Sequence, residues 1–412
     1  MKAAQEATVL SRRVVATMAF ATGAVVANLY YAQPLEETLA REFNASSSAV
    51  SLIITLLQIG YAIGLATLVP LGDLLERRRL LAAMLGCTVL GLGVMAFAPS
   101  LVVLGSAAVV VGLTSVATHV IVPLAAQLAP PDQQGRVVST VMSGLLLGVL
   151  LSRTVSGLVA SVAGWRAVFG LAAMVNAGVT VLLWRELPTL APVARMRYSA
   201  LLASVLRIVR EEPVLRVRML YCALVFASFS VFWTSAGFLL ARPPYGWNNA
   251  QIGAFALLGA AGALAVKFGG RLADRGLARV TTGGFVLIMA LSYVLLAIGE
   301  SSVVALGVGV LLMDLGCQGT HISNQSLFFP LRPDARSRMN TAYMTSGFVA
   351  AAIGSALSAV VYPAYGWVGV CILGGAFPAM AALLWVAEMT RARSSDRRLP
   401  EVTTHRAGAS SS

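Results

Sequence analysis

The sequence predicts an all-α membrane protein of twelve transmembrane helices, arranged as two pseudo-symmetric six-helix bundles. Three observations carry that expectation. Of 412 residues, 58% are hydrophobic and only 11% charged, with a mean hydropathy of +0.81, whereas soluble chains are about a quarter charged. Apolar runs of about 20 residues, enough to cross a bilayer as helix, recur along the whole length. Finally, long landmarks of the first half return in the second.

In order, the spans are about Val14–Gln33, Val50–Leu71, Leu80–Ala98, Leu101–Leu128, Val137–Ala163 and Ala167–Trp184. The second six are about Met219–Leu240, Ile252–Phe268, Val280–Ile298, Val303–Phe329, Met339–Tyr362 and Val368–Ala387. Gly and Pro within these runs are compatible with membrane helix. Arg12 and Arg13 ahead of the first run resemble a signal peptide, but without a cleavage site and with eleven spans following, an uncleaved first helix is expected.

The net charge of +13 is distributed by side. With both termini cytoplasmic, the inner segments hold Lys2, Arg12, Arg13, Arg77 to Arg79 and Arg136, then the arginines from Arg185 to Arg218. They also hold Lys267, Arg271, Arg275, Arg279, Arg332, Arg336, Arg338 and the arginines from Arg391 on, while the outer loops keep Arg41, Arg166 and Arg242. This asymmetry is the positive-inside pattern of a multi-pass protein of the cell inner membrane. Basic residues so dispersed, without interleaved aromatics, do not form a nucleic-acid surface; anionic inner-leaflet lipid is the expected partner. Cys87, Cys222, Cys317 and Cys371 lie singly inside spans, so neither disulfides, a metal site nor any other cofactor is expected.

Thr118-His119, Pro131-Asp132, Arg136 and Gly164-Trp165 match Thr320-His321, Pro333-Asp334, Arg338 and Gly366-Trp367 at one offset of 202 residues. "LGDLLERR" from Leu71 aligns with "LADRGLAR" from Leu272 at an offset of 201. The chain therefore divides into an N-terminal bundle (1–184), an Arg-rich cytoplasmic linker (185–218), a C-terminal bundle (219–390) and a disordered cytoplasmic tail (391–412). Repeated halves with a site at the midplane between them are a transporter architecture.

On these signatures the chain resembles the major facilitator superfamily over nearly its full length. Its "NLYYAQPL", Asn28 to Leu35, is similar to the first-helix signature of the drug/proton antiporter-like branch. The family's loop motif G-x-L-a-D-R-x-G-R-R is kept at Leu71, Asp73, Arg77 and Arg78, with Val69 and Glu76 in place of glycines. The second copy keeps Gly270, Leu272, Asp274, Arg275 and Arg279. The resemblance implies a gate there, and physics agrees: a carboxylate at a helix end meets arginines and a neighbouring helix N-terminus in one conformation and leaves them in another. The sequence departs from the family at Ala108, where a fourth-helix arginine is usual, and in the fifth span, which lacks Gly-Pro. That span keeps Gly144, Gly148 and Gly157, which suit close helix packing.

Two strongly charged residues lie deep in spans, Arg153 in the fifth and Asp314 in the tenth. Each costs about 2.5–3.5 kcal/mol at a helix centre, so each needs a partner or a wet cavity. Their matching depths and the resembling fold imply a pair across the halves. Asp314, Gln318, His321 and Gln325 share one helical stripe, with Asn324 beside it, as residues lining an aqueous cavity would. His119 is the repeat counterpart of His321. Asn28, Tyr31 and Gln33 in the first span, and Tyr221, Ser228, Trp233 and Ser235 in the seventh, complete a candidate cavity for an amphiphilic organic molecule; core packing accounts for any one of them equally well.

The expected function is proton-coupled export of a small organic compound by a monomer, with Asp314 carrying the proton and Arg153 its partner in one conformation. His321 and then His119 are the next proton sites. Uptake of an organic anion held by Arg153 is the alternative. A non-transporting receptor lacks an appended signalling domain here, and a membrane enzyme would need HExxH or GxSxG, both absent. No Walker motif occurs, so ATP bound by this chain is not the driving force.

Overall fold

A computed structural model describes residues 11–130, 132–189, 197–260, 277–332 and 335–396. Among them there is helix and no strand. The first half contains α1 (Arg12–Ala27), a short α2 (Glu36–Glu42), α3 (Ser47–Leu74) and α4 (Arg77–Ala96). It continues with α5 (Leu101–Thr114), α6 (Thr118–Leu128), α7 (Gln134–Ala163) and α8 (Trp165–Glu186). After α9 (Tyr198–Glu211) come α10 (Pro213–Ala241), α11 (Asn249–Phe255), α12 (Ala278–Ile298), α13 (Val303–Phe328) and α14 (Arg336–Asp396).

Nine of the described helical segments are long and apolar enough to cross a membrane. They fit the twelve-span fold once three local features are read. The long α14 is two helices that meet at Gly366, whose φ of 64° and ψ of −160° interrupt the helix. The first span is a 16-residue helix prolonged by turns to the 3₁₀ segment Gln33–Leu35. The eighth begins as α11 and a 3₁₀ turn, Ala256–Ala260, where the described residues pause.

Local chemistry sets many of the boundaries. Ser46, Ser100 and Ser302 accept from the backbone N–H three residues on, satisfying helix starts that would otherwise be unpaired. Glu76 accepts from the N–H groups of both Arg78 and Arg79, so the glutamate standing where the family has glycine caps α4. Gly164 and Gly366, paired by the repeat, both take positive φ, 82° and 64°. Each is followed by a buried tryptophan, Trp165 and Trp367. The sequence repeat is thus also a repeat of backbone geometry, at a turn that only glycine enters without strain.

Three apolar cores result among the described residues: one drawn from α1 to α8, a second chiefly from α10 to α14, and a smaller third where Ile208 of α9 meets Leu215 and Cys222 of α10, Phe328 of α13 and Met339 of α14. Phe238 and Phe348 reach from the second half into the first core. The glycines of α7 perform as expected: a Cβ on Gly144 would stand 2.1 Å from Ala19 O, and one on Gly148 2.2 Å from Gly23 O. One on Gly157 would stand 2.1 Å from Asn249 O, across to the other half. α7 can therefore touch both α1 and α11 along its backbone.

Two segments differ from the expected outline. The Arg-rich linker contains an amphipathic helix, α9, whose Leu201 and Ile208 are buried. Its first-half end is also helical, since α8 continues to Glu186. α10 starts at Pro213 rather than Met219, which brings Arg218 into the helix and into the interior, 1% exposed. At the other end α14 continues to Asp396, so helix extends beyond Arg391 into the segment expected to be disordered.

Candidate functional site

Arg153 lies at the seam between the halves, 4% exposed. Its Nε donates to Gln33 Oε1 at 2.5 Å. Its guanidinium stands over the rings of Tyr30, at 4.6 Å, and Trp233, at 4.0 Å. The arginine's plane is thus held by two aromatic faces, one from each half. Its Nη2 has no hydrogen-bond partner among the described residues, nor does Trp233 Nε1. A narrow cleft of about 10 Å³ lies beside it, lined by Gln33, Pro34, Arg153, Trp233, Gly237 and Ile252 among others.

Asp314 is 5% exposed, and its Oδ2 also lacks a partner among the described residues. That oxygen sits 2.7 Å from where a Cβ on Gly259 would be, so the glycine makes room for the carboxylate. No ion pair between Arg153 and Asp314 is formed in this conformation; the arginine is engaged by Gln33 and the two rings instead. Both charges are buried with an unsatisfied atom, a costly state that calls for a ligand, a proton or a rearrangement.

The tenth-span stripe is partly open: Gln318, His321 and Gln325 are half-buried, while Asn324 is fully buried. Gln325 donates to Asn340 Oδ1 at 3.4 Å, and Asn324 Oδ1 accepts from Arg218 at 3.4 Å. The histidines are each tied to a tyrosine. His119 Nε2 lies 3.0 Å from the Tyr61 hydroxyl, and His321 Nδ1 3.2 Å from that of Tyr343. Between them runs a row of rings, Tyr61 to Phe348 at 4.3 Å, Phe348 to Phe226 at 5.6 Å and Phe226 to His321 at 5.9 Å. The two repeat-related histidines therefore end one aromatic bridge across the halves.

Other candidates are engaged in packing. Asn28 exchanges hydrogen bonds with Asn176, at 3.3 and 3.4 Å, and donates to Ser115, joining α1, α8 and the turn before α6. Ser228 donates to Gly374 O at 2.8 Å and lies 3.0 Å from Tyr293 Oη. Ser235 meets Ser358 at 2.7 Å. Tyr31 is half-buried, and its carbonyl accepts from Ser156 at 2.6 Å. Tyr221 donates to Glu388 at 3.2 Å.

At the far end of α3, Asp73 pairs with Arg77 at 3.4 Å, while Arg77 also donates to Gly72 O at 2.9 Å and to Gln127. Arg78 lies over Trp184 at 4.3 Å and donates to Leu187 O. Asp73, Arg77 and His119 share a small cleft with Ser337 of the second half. In the second copy, Arg279 lies 3.7 Å from Glu388, whereas Gly270, Asp274 and Arg275 lie outside the described residues.

Sequence reasoning passed over two buried charges at span ends. Arg218 forms an ion pair with Glu388, and Glu36 is buried past the first span. Both fall within a few residues of a predicted boundary, the least certain part of a hydropathy reading. It also passed over Tyr30, Tyr61 and Tyr343, since residue type alone does not tell a partnered tyrosine from a core aromatic.

The model of the Major Facilitator Superfamily matches residues 15–330. YgaY of Escherichia coli strain K12, an uncharacterized transporter, is 45% identical over 376 residues, 91% of this chain and 95% of the relative. The same protein of strain O157:H7 matches to the same extent. Among solved structures, a bacterial homolog of the human lysosomal transporter Spinster superposes with a TM-score of 0.77 at 13% identity, covering 94% of this chain and 98% of the other. The nucleoside transporter NupG gives 0.72 at 12%, covering 90% and 99%. At such identities the superpositions speak for the fold.

Proposed function

We propose that this chain, which belongs to the Major Facilitator Superfamily, is a secondary active transporter that exports a small organic or amphiphilic compound in exchange for protons. Membership makes it a multi-pass membrane transport protein. The finer reading places it in the drug/proton antiporter-like branch, in an inner membrane, as a monomer with both termini cytoplasmic and its arginines toward anionic lipid.

One observation carries the coupling. Arg153 on α7 and Asp314 on α13 are buried opposite charges from different halves, each with an unpartnered atom, and they are not paired with one another. Rocking of the halves changes the distance between them, and so changes whether the carboxylate faces a cation or a proton-accepting cavity. Asp314 is the proton carrier in this reading, and Arg153 its partner in the alternate conformation. His321 and His119 stand behind it, and Gln318, Asn324, Gln325, Gln33, Tyr31 and Trp233 border the substrate path. Asp73 and Arg77 with Arg78, and the copy at Gly270, Asp274, Arg275 and Arg279, form the gate.

The free Nη2 of Arg153 favours a second reading, uptake of an organic anion whose carboxylate it would hold. Flux in right-side-out and inverted vesicles separates the two by direction. In proteoliposomes with an imposed pH gradient, Asp314→Asn is expected to abolish pH-driven flux while substrate still protects the protein against thermal unfolding. Wild-type, gradient-driven flux in that variant would move the proton to a histidine or remove coupling altogether.

A further inference from the structure

Glu36 opens α2, three residues after Gln33, and is 1% exposed. Neither carboxyl oxygen has a hydrogen-bond partner among the described residues. A Cβ on Gly237 of α10 would stand 2.7 Å from Glu36 Oε2 and 2.8 Å from Gln33 O. The bare backbone of the second half thus closes directly over a carboxyl of the first.

The surroundings form a seam between halves. Thr38 and Asn249 exchange hydrogen bonds at 3.1 and 2.9 Å, Arg242 meets Glu37 at 3.1 Å, and Thr154 donates to Gly253 O at 2.8 Å. The charged and titratable groups around Glu36 are otherwise engaged or distant. On its own helix Glu37 is taken by Arg41 and Arg242. Arg153 of α7 is held one step away by Gln33 and the two rings. From α14 comes Tyr362, whose ring stacks on Phe238 of α10 at 5.8 Å. α3 has no ionisable residue before Tyr61, and α11 has none.

We propose that Glu36 is a proton-binding site whose occupancy holds this seam closed. An ionised carboxylate sealed here without a partner would be strongly penalised, whereas the neutral acid is tolerated. Burial accordingly drives the Glu36 carboxyl well above the usual carboxylate range. When the halves part, α10 leaves and water reaches the carboxyl, which then ionises near the ordinary glutamate value of about 4.3. The closed form holds the proton more tightly, so acid favours the closed seam and rising pH favours the open one. Below about 4.3 both forms are protonated and the dependence ends. The inference rests on the alternating-access reading but not on Asp314 as carrier.

The test uses the full chain in lipid nanodiscs, with Cys87→Ser and spin labels at Ser161→Cys and Ser301→Cys, both exposed at the seam end of their halves. Pulsed electron–electron distances are measured across pH. In an Asp314→Asn background, which removes the other carboxyl proposed to change its proton affinity with conformation, the open-to-closed ratio is expected to rise with pH by up to about tenfold per unit. Adding Glu36→Gln should make it pH-independent and closed-biased, and adding Glu36→Asp should keep the slope. A distance distribution in that background that ignores pH overturns the proposal, as does a slope that survives Glu36→Gln.

Discussion

Arg153 and Arg218 are both buried arginines in membrane helices, 4% and 1% exposed, yet they are treated differently. Arg218 is neutralised by Glu388, contacts Asn324 and lies over the Tyr221 ring at 4.7 Å. Arg153 has no carboxylate partner in this conformation; it has an amide, two aromatic faces and an unpartnered Nη2. Each guanidinium leaves one nitrogen unpartnered among the described residues, so the difference lies in the counter-ion. A buried charge already neutralised by a carboxylate stabilises one conformation, whereas one without a counter-ion is available to a ligand or to a second conformation.

The largest effect is expected at the structural arginine. Arg218→Ala removes the main counter-ion of Glu388, and breaking such a pair costs about 3 kcal/mol, the lower end of the usual range because Glu388 is partly exposed and keeps Arg279. Thermal unfolding in detergent should show a clear loss, partly restored in Arg218→Ala with Glu388→Gln. An unchanged transition would put Arg218 with Arg153.

Arg153→Ala should do the reverse, reducing flux at least about tenfold, as the loss of one charge-assisted contact would, while the unfolding temperature moves little. Arg153→Lys should fail as well, since an ammonium cannot reproduce a planar fork between two rings. Full rescue by lysine would reduce the cage to a point charge. The smallest structural effect is expected for Asp73→Asn. Its pair with Arg77 is 3.4 Å long and part-exposed, so stability should change by less than about 1 kcal/mol. Transport should nevertheless slow, because the contact is proposed to be made in one state only. Wild-type rates and unaltered cysteine accessibility would leave the motif a topological signal.

The candidate site was legible in part. The depth of Arg153 and Asp314 could be read from their place in apolar runs, and the stripe from Asp314 to Gln325 from helical spacing. Asn28 and Ser228 looked equally suited to a cavity, but their polar atoms face Asn176, Ser115, Gly374 and Tyr293. A polar residue's type and spacing do not reveal whether its partner is water, substrate or another helix.

What the sequence by itself determined is what depends on stretches of chain: hydropathy for the spans, charge asymmetry for the expected sidedness, and the 202-residue register for the twin halves down to Gly164 and Gly366. Those quantities are local sums or repeats, and helices in lipid must satisfy their backbones within one segment. Only the tertiary structure decided which charges are paired. Gln33 and Arg153 are 120 residues apart, and Arg218 and Glu388 are 170 apart. Glu36 becomes buried because Gly237 of the other half closes over it. Desolvation and pairing are set by neighbours in space, and helix packing brings those neighbours together from distant parts of the chain.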